Sequence, residues 1–399
     1  MRPVKLLHVL GSMGYGGIET WLVHVVRHID RGRFEIHILT TGRGEGDYDG
    51  IVRELGGKII PCPIYPNVLT FGRRLAAVLR AGSYDVVHSH NYFFSGYVLR
   101  IAARAGVPVR IAHVYPTVDW KPQTLSRRVY RAFMTRWIRQ YGTCYIAASR
   151  ATLESFWGVG RNEDKPHHVM YCGIDLKPFA REASRESCRR GLDLPPNQPI
   201  ALNVGRFAPH KNQLALVEIA ERVLRELPDA LFVLAGDGPM LPEVRRRVCE
   251  KGLDKSFRFF QRVPDLVPIW KAADVFVFPT LMEGFGMVVV EAAAGGLPVV
   301  ASDIAGVREA AQACSAVTLV QPQDVSGFVT ATVQYLKDRR RYPPDPERLS
   351  AFSIESSLAA LGQIYSGGLP ALGQRATGSS PVGPAPSALF RKEGGKVGS

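Results

Sequence analysis

Short runs rich in Val, Ile and Leu alternate with stretches of helical spacing along most of the chain. Val4–Leu10, Phe34–Leu39, Lys58–Pro63, Asp85–His90, Val109–Val114, Cys144–Ala148 and His167–Cys172 read as strands, while Ile18–Ile29 and Phe71–Arg80 show helical spacing. Such alternation implies a parallel, doubly wound α/β sheet. The runs lack the apolar/polar alternation of a half-exposed strand, as expected where helices cover both faces. Over Leu176–Pro199 the pattern stops, and a polar stretch closes with three prolines. It restarts at Ile200–Gly205, Leu231–Ala235, Phe257–Gln261, Val275–Phe278, Pro298–Ser302 and Val317–Val320. The chain is thus divided into a domain over residues 1–178, a connector over 179–199 and a second domain over 200–365. Gly, Pro and Ser fill half of Ser366–Ser399, a composition that predicts a disordered tail.

A length of 399 residues is enough for two such domains without staples. Apolar residues make up 46% and charged residues 22%, with a mean hydropathy of −0.02, which excludes disordered and fibrous classes for the bulk. The six cysteines are widely scattered and show no C-x-x-C spacing, which argues against a disulfide framework and a cysteine zinc site. The first residues run straight into a strand pattern, and no window nears ~18 uninterrupted apolar residues. A cytoplasmic protein is expected. The net charge of +14 favours anionic partners: nucleotides, nucleic acid or an acidic membrane face.

Candidate chemistry sits where strands end. In Thr280–Glu291, TLMEGFGMVVVE, a strand gives way to a glycine turn and a helix begins near Met287. Glycines allow close backbone approach, and a helix N-terminus offers unpaired N–H groups and positive dipole, a combination suited to a diphosphate. Glu283 and Glu291 would repel phosphate but can accept from sugar hydroxyls. The same residues also suit an ordinary strand–helix connection with solvated glutamates. In Val204–Asn212, VGRFAPHKN, Arg206 and Lys211 can clamp a diphosphate from the other side or serve as surface bases. The turn Gly236-Asp237-Gly238-Pro239 reads as structural.

Together these segments resemble glycosyltransferase family 4, retaining enzymes of the GT-B fold, in which two Rossmann-like domains face a central cleft. The E-x7-E signature appears as Glu283 and Glu291 within EGFGMVVVEAAAGGLPVVAS, and NVGRFAPHKN, LAGDGPM and KAADVFVFPT follow the family in order and spacing. The resemblance runs from Val4 to about Tyr365. It implies a domain 1–178 on the acceptor side and a domain 200–365 that binds the nucleotide sugar. Glu291 would hold the donor ribose and Glu283 the transferred sugar. Arg206 and Lys211 would neutralise the diphosphate, helped by backbone N–H groups over Gly284, Phe285, Gly286, Met287 and Val288. The backbone at Arg262 and Val263 would read the base, although Gln261 stands where many relatives have Gly. His113, in RIAHVYPT, matches the family histidine near the reaction centre. Glu283, His113, Arg206 and Lys211 are therefore the candidate catalytic residues.

The loop after the first strand, Gly11-Ser-Met-Gly-Tyr-Gly16-Gly17, departs from the dinucleotide G-x-G-x-x-G fingerprint, and no acid follows the second strand at Thr40–Thr41. This counts against a dehydrogenase. The resemblance places Gly16 and Gly17 across the cleft near the donor phosphates. His88 and His90 read as packed strand histidines. Asp47-Tyr-Asp49 reads as a helix cap rather than a metal site. Arg127–Tyr141 carries five arginines among Tyr130, Phe133, Met134, Trp137 and Ile138, a basic amphipathic helix that either adsorbs to an anionic membrane or packs with a solvated basic face.

The expected activity is metal-independent, retaining transfer of a sugar from a nucleotide diphosphate sugar, of UDP type, onto a glycan or lipid-linked acceptor of cell-surface polysaccharide synthesis. No cofactor is expected beyond the donor itself. A nucleotide-sugar epimerase or a non-catalytic sugar-nucleotide or membrane-binding module would show the same segments. Nucleic acid accounts only for the charge and is not an expected partner.

Overall fold

The computed structural model describes residues 2–115, 117, 119, 122–157, 165–263 and 265–367. Two wholly parallel sheets carry it. The first comprises β1 (Val4–Leu10), β2 (Phe34–Thr40), β3 (Lys58–Pro61), β4 (Val86–Ser89), β5 (Val109–Val114), β6 (Cys144–Ala147) and β7 (His167–Val169) in the order β3-β2-β1-β4-β5-β6-β7. The second comprises β8 (Ile200–Val204), β9 (Leu231–Ala235), β10 (Phe257–Phe260), β11 (Val275–Phe278), β12 (Val299–Ser302) and β13 (Val317–Val320) in the order β10-β9-β8-β11-β12-β13. Both orders reverse beside the first strand, between β1 and β4 and between β8 and β11. In open parallel sheets that reversal leaves a crevice at the strands' carboxyl ends. Strands β8, β9, β11 and β12 are buried along their whole length, which is why they read as continuous apolar runs.

Two boundaries differ from the sequence reading. The polar stretch after residue 178 is not a bare connector. Ser184 caps a helix over Arg185–Gly191, its hydroxyl accepting from the Ser187 N–H at 3.1 Å. Arg189 on that helix is 1% exposed and donates to Asp274 (2.8 Å), to the Ala272 carbonyl (2.9 Å) and to the carbonyls of Pro196 and Gln198 (2.7 and 2.9 Å). Asp274, itself buried, also accepts from Arg185 and from the Ile200 N–H at 2.8 Å. Two of the charges in this polar stretch, Arg185 and Arg189, are thus satisfied inside the second domain.

The second correction concerns the last helix, Ile354–Gly367, assigned from sequence to the second domain. Ile354, Leu361 and Tyr365 complete the core of the first, packing with Leu6, Trp21 and Ile38. The Trp21 indole donates to the Ser357 hydroxyl at 2.9 Å. Ser366 and Gly367 belong to this helix. The remainder of the expected tail lies outside the described residues.

The domains also meet along a polar seam. Both carboxylate oxygens of Glu309 accept from the N–H groups of Arg150 and Ala151, each at 2.9 Å, at the start of the helix Arg150–Trp157. An anionic side chain at a helix N-terminus satisfies orphan donors and opposes the dipole. The Thr152 hydroxyl lies 3.0 Å from the Tyr115 carbonyl and 3.2 Å from that of Gly284, and Tyr115 and Met287 pack against the cores of both domains.

Removing one partner of a buried charge network leaves the others uncompensated. Asp274→Ala is expected to cost about 3–5 kcal/mol in urea unfolding. A loss under about 1 kcal/mol would show that the arginines find other acceptors.

Candidate active site

Arg206, Lys211, Glu283 and Glu291 follow the two strands at the second domain's reversal and Gly16 and Gly17 follow β1 at the first, whereas His113 lies in β5 and Arg262 and Val263 follow the edge strand β10. On the second domain, Arg206 follows β8, and Thr280–Glu283 follow β11. Local hydrogen bonds lock these two turns together. Leu281 N–H and the Thr280 hydroxyl both donate to the His210 carbonyl, at 2.8 and 3.0 Å, and Asn212, in the left-handed region at φ 58°, donates to the Pro279 carbonyl at 3.0 Å. Lys211 is thereby held against Glu283, forming a direct ion pair, and sits 5.2 Å from the centre of the Phe278 ring. Sequence spacing gave these two residues separate tasks; in the free protein they neutralise one another. Thr280, fully buried, places its hydroxyl 3.2 Å from the same Glu283 oxygen. Sequence reasoning missed Thr280 because only the fold turns its hydroxyl toward the glutamate.

The turn that follows needs its glycine at Gly286, where φ is 93°. The helix Met287–Ala294 starts there; the Val289 N–H donates to the Gly286 carbonyl at 2.9 Å, while those of Met287 and Val288 precede any intrahelical acceptor. Phe285 is core, its ring stacked on Tyr171 with centroids 4.8 Å apart, so any ligand contact here comes from backbone. Gly306 packs so tightly under the turn that a Cβ would lie 2.5 Å from the Glu283 carbonyl oxygen. Glu291 is part-buried, with Oε2 shut off from solvent. Burial pushes this carboxyl up to about 7. The Trp270 indole N–H, likewise buried and without another partner among the described residues, acts on this carboxyl as a donor and partly counters the rise.

Arg262 also lies at φ 50° and pairs with Asp237 at 3.3 Å. Gly236 and Gly238 are pressed onto the carbonyls of Gly205 and Phe207, so the GDGP turn is structural and also anchors Arg262. Val263 packs at the margin of the second domain's core.

The first domain supplies the facing wall. A Cβ on Gly17 would stand 3.5 Å from Met287 Sδ, which puts the glycine loop directly opposite the helix start. A Cβ on Gly16 would meet the Glu19 carboxylate, which would have to swing aside. Burial raises the Glu19 carboxyl, and exposed Arg206, from the other domain, partly counters this. Asp47 lies next to Gly14, but Asp49 is inside the first turn of the helix Asp49–Glu54 and caps nothing; the expectation of a cap there is corrected. Its Oδ2 is 3.8 Å from Arg53 instead.

His113 belongs to a buried ring of side chains. His8 and His90 are bonded at 2.9 Å, His90 and Tyr115 at 2.6 Å, Tyr115 and His113 at 2.9 Å, His113 and His88 at 3.1 Å, and His88 and Tyr365 at 2.8 Å. Burial, first among the causes, lowers the affinity of all four imidazoles for a proton, so the ring is neutral near pH 7. His88 and His90 are packed histidines, as read. His113 differs in one respect: its Nε2 is buried without a partner among the described residues.

These turns can therefore hold a phosphorylated, hydroxyl-rich ligand between two cations, a helix N-terminus and two carboxylates. Comparison with known proteins identifies the family. The model for Glycosyltransferase Family 4 matches residues 15–178, and that for Glycosyl transferases group 1 matches residues 198–338. The putative glycosyltransferase EpsF of Bacillus subtilis is 32% identical over 310 residues, covering 75% of this chain and 79% of that protein. The chain is a family 4 glycosyltransferase. An Escherichia coli relative, UDP-Gal:alpha-D-GlcNAc-diphosphoundecaprenol alpha-1,3-galactosyltransferase, is 29% identical over 66% of this chain and 70% of its own. Anabaena Alr3699/HepE, solved in complex with UDP, superposes with a TM-score of 0.73 at 18% identity, covering 91% of this chain and all of that one. The two-domain GT-B architecture expected of the glycosyltransferase is the one observed.

The raised carboxyl of Glu291 gives a pH prediction. The folded state keeps a proton that the unfolded chain releases near 4.5. The stability this proton contributes is complete below that value and is lost as pH rises through about 7. Between pH 4.5 and 7.5 the glycosyltransferase should lose roughly 2 kcal/mol relative to its Glu291→Gln variant, measured by urea unfolding. A difference that stays constant with pH would refute the assignment.

Proposed function

We propose that the protein transfers a sugar from UDP-sugar to a glycan or lipid-linked acceptor, with retention of configuration and without a metal at the reacting centre. The observation that carries this reading is the convergence of Arg206, Lys211, Glu283, Glu291 and the start of the helix Met287–Ala294 at one strand reversal. The relatives named above add support, one acting with UDP-Gal on a diphosphoundecaprenol-linked sugar and one solved with UDP.

In this reading the diphosphate lies against the N–H groups of Met287 and Val288. Arg206 meets it with a planar fork and Lys211 with a point charge. Lys211 has three donors and Glu283 several acceptor sites, so their ion pair persists while each also meets the donor. Glu283 accepts from hydroxyls of the transferred sugar and Glu291 from the ribose. The backbone at Arg262 and Val263 reads the base, and Gly16 and Gly17 close over the phosphates. The neutral His113 Nε2 bonds the sugar or its acceptor. As the glycosidic bond breaks, negative charge grows on the leaving phosphate, where Arg206 and Lys211 are already in place. The acceptor hydroxyl attacks from the face the phosphate leaves and passes its proton to a phosphate oxygen.

The acceptor side supports a membrane-borne substrate at the inner face of the membrane. No helix of the described residues is long and apolar enough to cross one. The helix Leu125–Tyr141 instead exposes Leu125, Val129 and Phe133 at intervals of four, on one face. Beside it runs a groove of about 1360 Å³ lined by Arg128, Arg131, Arg136 and Arg139 together with Phe93 and Phe156. An apolar stripe flanked by arginines fits an anionic bilayer surface.

Thermal melting with UDP, GDP, ADP and NAD tests the donor site. At about 100 times its dissociation constant a ligand adds ~2.7 kcal/mol, a readable shift. UDP alone should produce it, and Glu291→Ala should weaken UDP binding by ten-fold or more. A shift from NAD and none from UDP would overturn the reading. Lys211→Ala should lower kcat by about 10²–10³, the range for one lost transition-state contact, with the fold intact by circular dichroism. For the membrane, changing Leu125, Val129 and Phe133 to Ser should abolish co-sedimentation with vesicles rich in anionic lipid. Unchanged sedimentation would remove this helix from the account.

A further inference from the structure

The helix Gly17–His28 carries two histidines, His24 and His28, four residues apart and so on one face. Facing them is Asp175, in the segment that leaves the first domain for the second. It is 8% exposed, and its Oδ2 lies 3.0 Å from His28 Nε2. Its other oxygen accepts from the Lys177 N–H at 3.1 Å, which holds the carboxylate in place. One ligand atom from each of the three residues lies within 4.8 Å of the others. His24 Nδ1 is buried and has no hydrogen-bond partner among the described residues, an orphan that protein contacts leave unexplained.

From this arrangement we propose that His24, His28 and Asp175 form a binding site for a divalent transition metal of the zinc type, separate from the sugar-transfer cleft. Two imidazoles and one carboxylate make a ligand set suited to zinc or cobalt, with a fourth, open position for water. In a tetrahedral site of that kind neighbouring ligand atoms stand about 3.3 Å apart, so side-chain rotation of an ångström or so closes the triad. A cation here also faces the last turn of a helix, where the dipole favours positive charge. Arg27 opposes it, but Arg27 is exposed and its charge is screened by water. Entry needs no rearrangement of the core, because the His28 side chain is 22% exposed.

His8, His88 and His90 also bring ligand atoms within 4.8 Å of one another, and they make the weaker candidate. They are wholly buried, and their nitrogens are already engaged with each other, Tyr115 and Tyr365. A metal there would have to break that ring before binding.

The Asp175 site is built between the first helix of one domain and the start of the crossing to the other. Ile174, next to Asp175, pairs with Ser353 at the base of the last helix. A bound metal would therefore tie together the helix that begins at the Gly16–Gly17 loop and the segment about which the domains are joined.

The test uses the full chain, free of any histidine tag, titrated with Co²⁺. Visible absorption bands of a tetrahedral nitrogen–oxygen site should grow to one equivalent, disappear on addition of Zn²⁺, and be absent from the His24→Gln/His28→Gln double variant. Zn²⁺ should raise the melting temperature of wild type and leave that of the variant unmoved. Bands of undiminished strength in the variant, or none in wild type, would overturn the proposal. X-ray absorption at the zinc edge of the wild-type complex tests the same point without any substitution. Two imidazoles with further oxygen ligands support the triad, whereas three or more imidazoles would put the metal in the buried histidine ring and refute it.

Discussion

A parallel sheet cannot return on itself by a hairpin, so each strand is followed by a covering helix and every strand points the same way. When such a sheet is wound outward in both directions from its first strand, the helices beside that strand go to opposite faces and a gap opens at the carboxyl ends. This constraint acts twice here. β1 and β4 open one gap, β8 and β11 the other, and the loops leaving those four strands hold Gly16 and Gly17, His90, Arg206 and Glu283. Glycine turns, basic residues and carboxylates that are far apart in sequence are brought together because topology leaves them no other place.

What keeps the two gaps facing each other is in part polar. Glu309 serves as the missing acceptor for a helix of the opposite domain, and Thr152 bridges to the Gly284 carbonyl. Such contacts are directional, and each is worth only on the order of 1–3 kcal/mol. Apolar contact crosses the seam at Tyr115 and Met287, which touch both cores, at Tyr171 stacked on Phe285, and at Ala148 and Ile174, which join the second domain's core. Interfaces of this kind let domains shift against one another while preserving the arrangement inside each.

Much of this was legible in the sequence, and for a physical reason. Strands buried on both faces announce themselves as apolar runs, and a glycine turn between a strand and a helix marks where a helix N-terminus meets a strand end. Thus β8, β9 and β11 fall where Ile200–Gly205, Leu231–Ala235 and Val275–Phe278 were read, and the helix after the E-x7-E turn begins at Met287. What escaped was whatever depends on a partner distant along the chain. The stretch 179–199 read as a bare connector because Asp274, the counter-charge of Arg189, stands 85 positions away. The last helix looked like part of the second domain because its apolar stripe carries no label of the surface it covers. The pairing of Lys211 with Glu283 and the supporting hydroxyl of Thr280 follow from side-chain directions, which spacing alone does not specify.

The return of that last helix bears on how the protein is made. The first domain leaves the ribosome well ahead of the second, yet its core is incomplete until Ile354, Leu361 and Tyr365 arrive. Until then Trp21 has no acceptor at Ser357 and His88 no partner in Tyr365. Domains usually mature in the order of their synthesis. Here the half that is translated first is the half that is finished last, and a nascent chain halted before the last helix would carry an open apolar face in need of chaperone cover.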